Sequence, residues 1–299
     1  MVKKWLILIT FLYGQLIIKA QEIPTEYIMS FNSEKSLCLA YVNGVRVFTN
    51  YYDKGPLSAG YNISPYLEKG ENEISIQTAS ITALQGNSSF DPDFKCSVKI
   101  SKRTGLEKPV DLTNLIARVD DQLQPTGHLS SDYRGNSGQG SVQEYKKEGT
   151  ILYEIKRELN ITDIPEWVWT KADHFEITEE NKIKLQQAYK ELLDLFDSKN
   201  IAGIKKKSEI SFTEKEKANG LIEGMWYNSL ELDQKLEESI GTVIPDWKDY
   251  ELEVLREGRL VRFNNRGFSP IRLKNKENKS FWGYNPWFSL IDGELVITR

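Results

Sequence analysis

Histidine is scarce in this chain: His128 and His174 are the two among 299 residues. Catalysis by a Ser–His or Cys–His pair needs one of them beside a nucleophile, and no motif places either there. The sequence has no Gly-x-Ser-x-Gly elbow, no Gly-rich phosphate loop and no dinucleotide fingerprint. Two histidines and two cysteines, widely spaced, make no metal-ligand pattern. No catalytic residue, metal or cofactor is therefore expected. Carboxylates alone remain as candidates for chemistry, and Asp173 with Glu176 near His174, or Asp246 with Asp249 near Trp247, lie closest together. A pair of acids can hydrolyse a glycoside, but proximity in sequence does not set the separation that reaction needs. The alternative is a set of solvated surface acids. The balance favours a non-enzymatic protein.

A broad basic field is also missing. The formal net charge is −4, and both signs are interspersed through the 27% of residues that are charged. Nucleic acid is therefore not an expected partner. The densest basic run, Lys205–Lys207, is followed by Glu209, Glu214 and Glu216 and reads as a solvated helix edge. Long apolar runs are absent beyond the first twenty residues. There, Lys3 and Lys4 precede an apolar stretch from Trp5 to Ile18, and Ala20 stands before Gln21. That stretch, about 14 residues, has the length of a signal-peptide core and falls short of the ~20 that span a bilayer. Residues 1–20 are read as a cleaved signal, which implies a periplasmic or secreted protein with no transmembrane segment. An uncleaved anchor is the alternative.

Cysteine is limited to Cys38 and Cys96. In an oxidising compartment an even pair is a candidate disulfide. Each falls in an apparent strand, Leu37–Val42 and Phe94–Ile100, so a bridge across a sandwich is geometrically plausible. Two buried free thiols are the alternative.

What is present divides the chain in two. Residues 21–163 read as all-β. Asn43-Gly44, flanked by apolar runs, is a strong hairpin signal. Lys69-Gly70-Glu71-Asn72 punctuates the chain before a strand through Ile74 and Ile76. Further strands are expected at 94–100 and 149–157. Between them, about 120–145, Gly, Ser, Asn, Gln and Asp dominate, which predicts a long polar loop. The succession Leu39-Ala40-Tyr41-Val42-Asn43-Gly44-Val45-Arg46-Val47, then Tyr61-Asn62-Ile63-Ser64-Pro65-Tyr66-Leu67-Glu68-Lys69-Gly70-Glu71-Asn72-Glu73-Ile74-Ser75-Ile76, resembles the galactose-binding-like jelly roll. The resemblance implies a β-sandwich. It carries over no ligand contact, because the shared residues are those of turns and core. Such modules bind sugars in some proteins and act as spacers in others.

Residues 164–177 read as a linker. Trp167 and Trp169, two apart, share one side of an extended segment. They either offer a stacking plane to a sugar or plug the joint between domains. Residues 178–299 read as a second, α+β domain, which makes the chain α+β overall. Thr178 is placed to cap a helix whose apolar stripe runs through Ile183, Leu185, Ala188, Tyr189, Leu192, Leu193 and Phe196. A second helix is expected from Ser211, with Glu214 completing a capping box, and a stripe through Ala218, Leu221, Ile222, Met225 and Leu232. After Pro245, hairpins centred on Glu257-Gly258, on a Lys-Glu-Asn turn and on Asp292-Gly293 predict an antiparallel meander. Helices followed by an aromatic meander resemble, by element order alone, the cone-shaped α+β domains of the nuclear transport factor 2-like kind.

Two clusters point to recognition. Phe281 to Phe288 holds five aromatics in eight residues, and Trp282, Tyr284 and Trp287 are candidate ligand contacts alongside Trp167 and Trp169. Arg256, Arg259, Arg262, Arg266 and Arg272 recur along the first strands of the meander. Of these, Arg259, Arg262 and Arg266 are candidate partner contacts, since guanidinium forks suit carboxylates. The alternatives are a doubly covered sheet for the aromatics and strand-edge protection for the arginines. The expectation is an exported, non-enzymatic protein that binds a protein partner, of an immunity or accessory type. A carbohydrate-binding protein of the envelope is the second reading and an uncharacterised hydrolase the third.

Overall fold

The computed structural model describes residues 24–52, 56–86, 90–130, 141–143 and 152–299. The segment read as a signal, parts of the polar loop and the start of the strand expected at 149 lie outside the described residues. The N-terminal half is two five-stranded antiparallel sheets around one core. In the first sheet the order is β4 (Leu57–Asn62), β1 (Thr25–Glu34), β6 (Lys95–Thr104), β7 (Val110–Val119), β8 (Pro125–Thr126). The second runs β3 (Val45–Tyr52), β2 (Ser36–Val42), β5 (Gly70–Ser80), β10 (Tyr153–Ile161), β9 (Ser141–Gln143). A single helical turn, α1 (Ile81–Leu84), interrupts them. The strands alternate as a half-buried sheet must: Tyr27, Met29 and Phe31 of β1 face inward, against Val98 and Ile100 of β6 and Ile74 and Ile76 of β5.

Asn43 and Gly44 both take positive φ, 53° and 81°, so the turn between β2 and β3 has the backbone twist a two-residue hairpin needs. Cys38 of β2 and Cys96 of β6 form a buried disulfide, with Cα atoms 5.6 Å apart, that joins the two sheets. The polar stretch from 120 contributes β8 and β9, each a short edge strand.

The C-terminal half holds α2 (Glu179–Asp197), α3 (Ile201–Lys207), α4 (Glu209–Ala218), α5 (Met225–Ser229) and α6 (Leu232–Glu238). Thr178 caps α2 by accepting a hydrogen bond from the Asn181 amide. Leu185, Tyr189, Leu192, Leu193 and Phe196 are buried as their spacing requires, but Ile183 is 63% exposed. The second helix departs further from expectation. Ser208 ends α3 and begins α4, so Ser211 lies inside the helix and caps nothing. Asn219 and Gly220 (φ 61°) then close α4, which leaves Ile222 68% exposed in the following loop.

The strands are β11 (Gly241–Thr242), β12 (Glu251–Leu255), β13 (Leu260–Asn264), β14 (Ile271–Lys274), β15 (Ser280–Tyr284), β16 (Phe288–Ile291) and β17 (Glu294–Ile297). The three hairpins form, yet they do not make one continuous meander. β12-β13-β16-β17 is one sheet and β11-β14-β15 another. The connection after β13 explains the split. Arg266 and Gly267 both have positive φ, and Pro270, with no amide to donate, precedes β14. The chain therefore leaves the first sheet before it can pair again. No helix of the described residues is long and apolar enough to cross a membrane.

The disulfide closes a loop of 58 residues, which in the chain-entropy account is worth about 4 kcal/mol. Reduction is expected to add the mass of two hydrogens to the intact protein. Replacing both cysteines by serine should lower the unfolding free energy by about 2–5 kcal/mol in urea titrations. An unchanged mass on reduction would show that the bridge does not form.

Candidate binding surfaces

Four of the eight residues marked for recognition, Trp167, Trp169, Trp287 and Arg259, lie in the joint between the halves. Trp167 and Trp169, on either side of the start of the 3-10 turn Val168–Lys171, are 1% and 0% exposed. They cluster with Val45 of the sandwich, Ala218 of α4, Leu260 of β13 and Trp287. Each indole nitrogen donates to a sandwich carbonyl, Trp167 to Ser64 at 2.9 Å and Trp169 to Pro65 at 3.1 Å. Arg299, whose side chain is fully buried, lies over both rings and pairs with Glu214 of α4. No indole face is left open for a sugar. The segment 164–177 packs as a plug between the halves.

A second layer of the joint is ionic. Glu68, in the turn before β5, receives both Arg256 and Arg259 from the β12–β13 hairpin. Arg259 is bidentate on its carboxylate, at 2.6 and 3.0 Å, and also donates to the Thr170 carbonyl. Arg256 donates as well to the side-chain oxygen of Asn43 at 3.2 Å. The two hairpins meet tip to tip: a Cβ on Gly44 would lie 2.8 Å from Leu255, so glycine is needed there for close approach as well as for its φ. Burial opposes ionisation of Glu68, but hydrogen bonds and charge from the two guanidiniums outweigh it and hold its carboxyl below the usual range.

The remaining expected contacts are mostly occupied too. Arg262 donates to Glu253 at 2.6 Å and stacks 4.0 Å over the Trp287 ring. Trp287 is 3% exposed. Trp282 and Tyr284 lie nearly parallel, half-buried against Phe196 of α2. Tyr284 shares a hydrogen bond with Ser208, and burial pushes its hydroxyl up to about 12. Arg266 alone of the three expected partner contacts is exposed, in a turn beside Asp249 and Glu251. His174 Nδ1 donates to the Glu257 carbonyl, and His128 shares a hydrogen bond with Thr126. Lys215, half-buried beside the Trp226 ring, is pushed down to about 7 by burial and by Arg299. Among the described residues no three His, Cys, Asp or Glu side chains are grouped to hold a metal.

An open surface lies elsewhere on the C-terminal half. Ile183 and Leu193 of α2 and Ile244, Pro245 and Trp247 of the loop before β12 line a cleft of about 330 Å³. Ile244 is 88% exposed and Ile183 63%. Trp247 is braced from behind by Tyr189, Tyr250 and Phe263, with ring centroids 5.3–6.1 Å away. Sequence spacing assigned Ile183 to the buried stripe; Ile244 stands beside Pro245 in a segment without periodicity, so neither stood out as a contact.

Comparison with known proteins adds no family: no family model, no curated protein and no solved structure matches this chain.

Glu68→Gln is expected to leave two guanidiniums without their carboxylate and to destabilise the fold by about 1–3 kcal/mol. A group whose carboxyl is depressed in the folded state stabilises above its unfolded pKa, and that stabilisation is lost as pH falls through the folded value. The stability difference between wild type and Glu68→Gln should therefore hold steady above about pH 5 and shrink below about pH 4. Thermal unfolding across that range reads it.

Proposed function

We propose that this chain is an exported, non-catalytic binding protein that docks a protein partner through the Ile183–Ile244–Trp247 cleft. The observation that carries this reading is the cleft itself: two exposed branched aliphatics flank a tryptophan held rigid by three aromatic rings. A rigid Trp in an apolar cleft is the composition of an interface hot spot, whereas a sugar needs a flat open ring face. The partner's complementary feature is an apolar side chain projecting from a helix or loop. An immunity or accessory role in the envelope fits a protein of this kind.

Export is supported by the apolar segment that precedes the fold and by the buried disulfide. Within this reading the N-terminal sandwich is a galactose-binding-like jelly roll acting as a platform, and the C-terminal half is a relative of the nuclear transport factor 2-like domains with its sheet split in two. The Asn43-Gly44 hairpin within one sheet of the sandwich supports the first, and the order of helices before strands the second. A carbohydrate role resting on Trp167 and Trp169 lacks support, since both rings are enclosed.

Ile183→Asp with Ile244→Asp changes two exposed side chains and should leave the melting temperature within a few degrees of wild type. A partner that co-purifies in stoichiometric amount with the wild-type protein from its native envelope is expected to bind the double variant at least about tenfold more weakly. Full retention by the folded variant would sink the cleft as the docking site.

A further inference from the structure

The polar side chains of α2 divide by whether they line the cleft. From Glu179 to Glu191, those outside it all have partners. Glu179 pairs with Lys182, Glu180 with Lys184 and Glu191 with Lys207. Asn181 donates to the Glu176 carbonyl, and the buried Tyr189 hydroxyl accepts from the Phe263 amide. Gln186, Gln187 and Lys190 are the exceptions. Their side chains make no hydrogen bond or ion pair among the described residues, and all three line the cleft. With Ile183 they fall at i, i+3, i+4 and i+7, one face of the helix, about 10 Å from end to end.

The charge of the cleft is equally one-sided. Lys190 is the one charged residue among the eight that line it, so no carboxylate stands on its wall. Asp194, one turn further along α2, lies outside the lining and makes no ion pair with Lys190 among the described residues. An ammonium acts as a point charge toward an anion, and each carboxamide offers both donors and an acceptor. The volume, about 330 Å³, is at the small end of the range for ligand clefts, about 300–1,000 Å³. That is room for one large side chain and the backbone that carries it.

We propose that the cleft recognises the C-terminal residue of a partner chain, a large apolar residue that packs against Trp247 and Ile244 while its free carboxylate meets Lys190. The assignment rests on the docking role of the cleft and names what docks there. A chain terminus carries an apolar side chain, a carboxylate and an amide on one Cα. That set matches an apolar wall, one cation and two carboxamides in so small a space. An internal Asp or Glu holds its carboxylate on a different residue from the apolar group, and its chain must continue across the cleft in both directions. A partner helix needs an apolar groove several residues long, but between Ile183 and Leu193 the cleft wall on α2 is polar.

Fluorescence polarisation of labelled hexapeptides against the purified protein tests the assignment. The probes are Gly-Ser-Gly-Ser-Gly-X, with X phenylalanine, leucine or isoleucine, each made as the free acid and as the amide. An amidated probe with the same apolar residue followed by an internal glutamate completes the set. At least one free acid is expected to bind, about threefold or more tighter than its amide, with the difference shrinking as salt rises from about 50 to 200 mM. Lys190→Gln should bring the acid to the affinity of the amide. Ile183→Asp with Ile244→Asp should remove binding of both. These side chains are exposed, so melting temperatures should stay within a few degrees of wild type. Equal affinity for acid and amide, tighter binding of the internal-glutamate probe, an acid preference that survives Lys190→Gln, or no binding by any free acid overturns the assignment. The co-purifying native partner separates this outcome from the cleft itself. If that partner depends on Ile183 and Ile244 while no free acid binds, docking stands and the terminus fails; if it is indifferent to both residues, the cleft fails and the terminus with it.

Discussion

The arrangement of the whole molecule depends on one carboxylate. Glu68, from the sandwich, is gripped by Arg256 and Arg259 from a hairpin of the other half, and the Trp167–Trp169 plug lies alongside. An ion pair this sheltered stabilises only if its geometry is good and its other donors are satisfied. Arg259 meets both, bidentate on Glu68 with its other donors on the Arg256 and Thr170 carbonyls; Arg256 reaches Asn43 and the Glu71 carbonyl but leaves its buried Nε without a partner among the described residues. The ionic layer fixes direction, since a guanidinium fork accepts a carboxylate in few orientations. The indoles supply the buried area. Together they give the halves one relative placement, where a flexible linker would allow many.

That joint explains why the residues richest in recognition potential are closed to ligands. Trp and Arg are favoured at interfaces because they combine large contact area with directional hydrogen bonds. The same properties suit an interface inside one chain. Trp167, Trp169, Trp287, Arg256, Arg259 and Arg299 are all committed to it, and Arg262 braces Trp287 from the strand beside it. An aromatic and arginine-rich sequence therefore marks an interface here without saying whose.

Local chemistry was legible in the sequence wherever a backbone requirement or a covalent geometry decides the outcome. Asn43-Gly44 makes the hairpin because both residues tolerate positive φ, Thr178 caps α2 because its hydroxyl reaches an unsatisfied amide, and Cys38 and Cys96 face each other across the sheets. Features that depend on where distant segments pack were not legible. The helical period that buries Leu185 and Tyr189 applies equally to Ile183, yet among the described residues no element covers that end of α2. Ser211-Phe212-Thr213-Glu214 has the form of a capping box, but α4 begins earlier and Glu214 instead accepts from the Val168 amide and pairs with Arg299, more than eighty residues away.

The distribution of cations follows from the same constraint. Arginines gather where a carboxylate or an indole is fixed, since a planar, weakly hydrated guanidinium loses least on burial. Lysines are left to exposed pairs such as Lys182–Glu179 and Lys207–Glu191, where an ion pair contributes at most about 1 kcal/mol. Arg118 breaks this division: it is exposed on a sheet face beside Lys95, with neither a carboxylate nor a ring against it among the described residues. Arg266 is likewise exposed and makes no ion pair among the described residues, and Glu34 stands in register beside Lys95, so neither exposed arginine by itself marks a ligand surface.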